Sequence, residues 1–125
     1  MSHRPGPVTN FKREREVLIA RLSAQVNALR IDPRCARDVA SNLRNLVHNV
    51  YRIRSASMAM AVEARGDAFV QTRPYHFYAH SVPFMCNDLV ASLFHWADML
   101  VNPDGRRTDG AVACAIERAI ASLGF

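Results

Sequence analysis

The stretch DPRCARDVASNLRNLVHNVYRIRSASMAMAVEARG, residues 32–66, decides the fold. Asp32 and Pro33 supply an N-cap and a first-turn proline, Gly66 supplies a stop, and neither Pro nor Gly interrupts the residues between. At about 100° per residue, Ala36, Val39, Leu43, Leu46, Val50, Ile53, Met60, Ala61 and Ala64 fall in one arc. Arg34, Arg37, Arg44, His48 and Arg52 fall on the opposite side. The segment reads as one long amphipathic helix, about 33–65, with a basic stripe along its back.

The length of that helix carries a second expectation. At ~1.5 Å per residue it would extend about 50 Å, whereas a compact domain of 125 residues is only about 35 Å across. Either the helix kinks at Ser55-Ala56-Ser57, or its far end projects and is covered by a second copy of the chain. Tyr51, Met58 and Val62 add apolar area beyond the main arc, and SASMAMAVEA (55–64) is rich in small residues and Met. Both features favour a homodimer.

On the N-terminal side, residues 1–8 contain Pro5, Gly6 and Pro7 and read as a flexible tail before a single helical domain, 9–125. Thr9 or Asn10 offers a cap for a first helix from about 11 to 30, whose Phe11, Leu18, Leu22, Val26 and Leu29 share one face. The short turn at Ile31-Asp32-Pro33 folds the long helix back against the first as an antiparallel hairpin.

Beyond Gly66 the pattern changes. DAFVQTRPYHFYAHSVP (67–83) carries two prolines, several aromatics and no clean 3.6-residue period. A short extended piece at 69–72 and a short helix from Pro74 to near His80 make 67–82 an irregular or helical insertion. Tyr75, Phe77 and Tyr78 would plug one end of the core or offer a stacking surface for bases. Pro83 then reads as the opening of a helix to about Val101. Met85, Leu89, Leu93, Trp96 and Leu100 line one side, flanked by Cys86, Val90, Phe94, Ala97 and Val101, so this helix should be the most buried. Asn102-Pro103-Asp104-Gly105 signals a turn, and Thr108 or Asp109 caps a last helix that stops at Gly124. The expected fold is all-α: four principal helices in a bundle-like array around the long one.

The formal charge of +5 favours anionic partners. Fifteen of the sixteen basic residues are Arg, which suits bidentate phosphate or carboxylate contacts but equally follows from a GC-rich coding bias. No run approaches the ~20 apolar residues of a membrane span, and the N-terminus lacks the apolar core of a signal peptide. Cys35, Cys86 and Cys114 are odd in number and far apart, so buried thiols in the reducing cytoplasm are expected, with no membrane and no secretion.

Three constellations carry possible chemistry. Arg34, Arg37, Arg44, His48 and Arg52 span about 27 Å of helix and could meet the phosphates of a nucleic acid; no reader motif accompanies them, so binding would follow backbone charge or shape. Tyr51, Met58, Val62, Tyr75, Phe77 and Tyr78 form a candidate protein interface. His76 and His80 have i, i+4 spacing, and Cys86 and His95 could complete a tetrahedral zinc set. His95 also lies near Asp88 and Asp98, which reads as surface electrostatics. Catalytic Ser, P-loop and dinucleotide motifs are missing from the sequence, and the eleven acidic residues are dispersed. The sequence thus predicts a non-enzymatic binding protein without a cofactor, contacting nucleic acid through the basic stripe. The alternative is a protein-interaction or inhibitor module using the apolar end of the long helix and residues 67–84.

Overall fold

The computed structural model describes residues 6–63, 73–102 and 108–125. All elements among them are helical, and the fold is all-α and bundle-like, as the periodicity predicts. Helix α1 runs Pro7–Ile31, starting four residues earlier than expected because Pro7 occupies a first-turn position behind Gly6. Its Phe11, Leu18, Leu22, Val26 and Leu29 are buried, the face read from the sequence. The Asp32 N–H closes α1 on the Ala28 carbonyl, and its carboxylate accepts from the Arg34 N–H to open a short 3-10 turn, Pro33–Cys35.

The long second helix is not continuous. It divides into α2, Ala36–Asn45, and α3, Val47–Glu63, with the interruption at Leu46 and regular helix through 55–57. The Leu46 N–H is shared between the carbonyls of Asn42 and Leu43, at 3.1 and 3.2 Å, a tightened last turn. The reason is tertiary. Leu46, Val47, Asn49 and Val50 are all buried, and on either side of this turn α2 packs chiefly against α5 while α3 packs against α1 and α5. The kink expected at Ser55 to Ser57 is not there: those residues are regular helix within α3.

The second departure precedes Pro83. Helix α4, Arg73–His76, passes into a π turn, Phe77–Ser81, and straight on into α5, Val82–Val101. Pro83 therefore sits within a helical rod and does not begin one. The Val82 N–H donates to the Phe77 carbonyl, five residues back. In that register the partner of position 83 is the Tyr78 carbonyl, to which proline has no N–H to donate. The Ser57 hydroxyl, fully buried in α3, donates to the Tyr78 carbonyl instead, at 2.6 Å. The expected extended piece at 69–72 and the turn after Asn102 lie outside the described residues.

Helix α6, Asp109–Ser122, closes the bundle, and Leu123 and Gly124 end it through bonds to Ala119, Ile120 and Ala121. Thr108 precedes it, but its hydroxyl donates to the Met99 carbonyl on α5, 2.9 Å away, so it ties two helices together in place of capping one. One continuous core joins α1, α2, α3, α5 and α6. At one end Phe11, Phe77, Tyr78 and Phe125 pack ring against ring, with centroids 5.0 to 6.0 Å apart. Phe77 and Tyr78 thus act as the end plug that their composition suggests.

Candidate interaction surface

The turn at Leu46 divides the basic stripe between two helices. Arg34, Arg37 and Arg44 stand on the 3-10 turn and α2, and His48 and Arg52 on α3. All five are exposed. Two of them are engaged within the chain. Arg34 pairs with Asp32 at 3.0 Å, and Arg44 pairs with Asp98 of α5 at 3.0 Å. Arg37, His48 and Arg52 make no ion pair among the described residues.

Arginine has a structural use here that composition does not reveal. Arg21 of α1 donates to the Asn49 side-chain oxygen on α3 at 3.0 Å, and Arg54 of α3 donates to Asn87 of α5 at 2.9 Å. Arg30 of α1 pairs with Glu117 of α6, and Arg15 reaches the carbonyl of Phe125 while its guanidinium lies over that ring. With the Arg44 pair, five arginines each brace two parts of the fold. A planar fork on a long stem suits that span better than an ammonium.

The apolar residues give a more coherent surface. Along α3, Tyr51, Met58 and Val62 are 42%, 42% and 56% exposed, and Ser55 completes an i, i+4, i+7, i+11 stripe facing away from the core. On the adjoining α5, Phe84 and Phe94 are 69% and 46% exposed. Phe94 was expected in the core, and its exposure corrects that reading: the arc of α5 is apolar almost all round, but among the described residues no helix covers the side that carries Phe94. Arg54 joins the two helices, bonding Asn87 while stacking 5.2 Å from the Tyr51 ring centroid. Beside the stripe, α1 and α3 enclose a notch of about 420 Å³ floored by Ser55, Ala56 and Ala59 and bordered by Glu14 and Arg52. Sequence reasoning found Tyr51, Met58 and Val62. It reached Phe84 only as the last residue of the segment 67–84 and did not single it out; the sharper signal was the outward spacing of 84, 87, 91 and 94.

The other predicted interface residues separate from this face. Phe77 and Tyr78 are committed to the bundle end, and Tyr75 is half-buried with its ring edge-on to His76 and His80. Those two histidines are brought together, their rings stacked at 5.7 Å. Cys86 and His95 do not join them. Cys86 is buried on the core side of α5, nine residues from His95, which points to solvent. Among the described residues, no group of three or more His, Cys, Asp or Glu is placed to hold a metal ion. Asp98, the carboxylate one turn beyond His95, is taken by Arg44.

The three thiols are unpaired and differ in environment: Cys86 is buried, Cys35 half-buried with its thiol on the Ala28 carbonyl at 3.2 Å, and Cys114 exposed. The expectation of buried thiols therefore holds for Cys86 and not for Cys114, which faces outward from α6. Burial pushes the Cys86 thiol up to about 11, with the Arg54 charge offsetting only part of the rise. At mildly alkaline pH a thiol reagent should label Cys114 promptly and leave Cys86 unmodified until the chain unfolds; equal labelling rates in the native protein would contradict this placement. Among the described residues no helix is long and apolar enough to cross a membrane. No family model, curated protein or solved structure matches the chain.

Proposed function

We propose that this protein is a non-enzymatic protein-interaction module whose working surface is the apolar face that α3 and α5 make together. The observation that carries it is the clustering of Tyr51, Met58, Val62, Phe84 and Phe94, all exposed, on two adjacent helices bridged by Arg54 and Asn87. Aromatics, Met and Arg are the residues enriched at interface centres, and exposed apolar side chains grouped on neighbouring helices mark interaction sites, whereas the same residues scattered singly do not. The test is capture from native lysate, in nuclease-treated and untreated halves. Proteins retained on the wild-type chain in both halves and lost on Phe94→Arg support the reading; identical capture by wild type and variant would sink it.

Contact with nucleic acid through Arg37, His48 and Arg52 is the second reading, favoured by the exposure of these three groups without ion pairs among the described residues. Three phosphate contacts would weaken binding by about 40-fold for duplex and about 20-fold for single strands between ~50 and ~200 mM salt. No binding at the lower salt removes this reading. So does unchanged affinity in Arg37→Glu with Arg52→Glu.

A further inference from the structure

We infer that the occupant of this face is a second copy of the chain, with the two α3 helices packed antiparallel across a two-fold axis that passes between residues 56 and 57. The inference rests on the interaction surface proposed above and adds its partner and its register.

The register comes from the spacing of the exposed stripe. Residues 51, 55, 58 and 62 repeat at intervals of four, three and four, the seam of two heptads in a coiled contact. Seam positions in an antiparallel pair meet two by two, and one axis must serve every pair. Placed between 56 and 57, it sets Tyr51 against Val62 of the second copy and Ser55 against Met58 of the second copy, and both matches recur by symmetry. The pairing is also one of volume. The smallest residue of the seam, Ser55, lies opposite the long and adaptable Met58, beside the notch floored by Ser55, Ala56 and Ala59. The largest, Tyr51, lies opposite the smaller Val62.

Size and charge agree with self-association. The face is about 25 Å long, from the 17 residues of α3, and about 20 Å wide across two packed helices. That footprint is of the order of the ~800 Å² of accessible surface each partner gives to a standard interface. The seam itself is uncharged. Of the arginines at its edges, Arg54 is already bonded to Asn87 and stacked on Tyr51, and Arg44 is paired with Asp98. The partners of Arg54 and Arg44 travel with the face when two copies close, and Arg52, which borders the notch beside Ser55, is the charge that the contact must leave in water. What opposes it is the long-range repulsion between two chains of net charge +5, and salt screens that.

Sedimentation velocity on the full chain, from about 1 to about 100 µM and at about 50 and 500 mM salt, tests the inference. A dimer is expected at the higher concentrations, with a dimer fraction that holds or rises with salt. Met58→Arg should be monomeric throughout with an unchanged far-ultraviolet spectrum, whereas Ile31→Arg, on a residue 84% exposed at the far end of α1, should leave the dimer intact. The singles Met58→Ser and Ser55→Met should each weaken the dimer at least about tenfold, and the double exchange should recover to within about threefold of wild type. A wild-type monomer at ~100 µM overturns the self-pairing, as does a dimer that survives Met58→Arg. If the wild type is monomeric but captures a foreign protein that Phe94→Arg does not, only the self-pairing falls and the interaction surface stands.

Discussion

Leu93→Ala should cost about 2–5 kcal/mol of folding stability, while Phe94→Ala, one residue on, should change it by less than about 0.5 kcal/mol in dilute protein. Urea unfolding followed through the single tryptophan, Trp96, reads both variants on one probe, since Trp96 is itself buried in α5. Leu93 is fully buried at the centre of the core, so truncating it leaves a cavity that surrounding helices can close only in part. Phe94 is 46% exposed and belongs neither to the buried core nor to the side chains packed against it. The sequence treats the two as neighbours on a broad apolar arc; the structure separates them by a large free energy. Equal costs would mean that α5 is rotated from the facing described.

Ser57→Ala should destabilise the chain by about 1–3 kcal/mol, although it removes a single oxygen. The hydroxyl is the donor for the Tyr78 carbonyl, and Pro83 supplies no alternative. The loss is therefore that of a buried carbonyl left without a partner, the expensive case among hydrogen-bond deletions. A double-mutant cycle gives this its specific check. Pro83→Ala restores an N–H beside the π turn, so the penalty of Ser57→Ala measured in that background should fall by at least about 0.5 kcal/mol. Strict additivity would show that Ser57 and Pro83 act independently and that the π turn has another cause.

These two predictions mark where sequence legibility stops. Signals written into local chemistry read correctly: the buried face of α1, the proline and aspartate that open the second helical segment, and the stop at Gly124. The break at Leu46 has no such signal. Leucine is a good helix former and its backbone stays in the right-handed helical region, so the interruption reflects which neighbours α2 and α3 pack against. Pro83 misled in the opposite direction. It resembles a helix start, and only the fully buried hydroxyl of Ser57, distant in sequence, makes it tolerable inside a rod.

The candidate surface was legible to the extent that it broke the pattern. Tyr51, Met58 and Val62 lie off the main apolar arc, and that misfit announced them. Phe94 was hidden because α5 is apolar on nearly every side, and periodicity cannot say which side of such a helix lacks a neighbour. The basic stripe was overread for a related reason. Charge is visible in a sequence, but the carboxylate that neutralises it, Asp98 for Arg44, is 54 residues away.

The π turn at Phe77–Ser81 has one more consequence, for chain length. A π turn holds one residue more than an α turn needs, so this segment behaves as a single-residue insertion in an otherwise regular rod. Deleting Ala79 would take the extra residue out of the turn before Pro83: α5 would keep its facing, and everything before the deletion would swing by about 100°. Phe77 and Tyr78 would then leave Phe11 and Phe125 at the bundle end. A homologue one residue shorter here should accordingly carry its plugging aromatics at shifted positions.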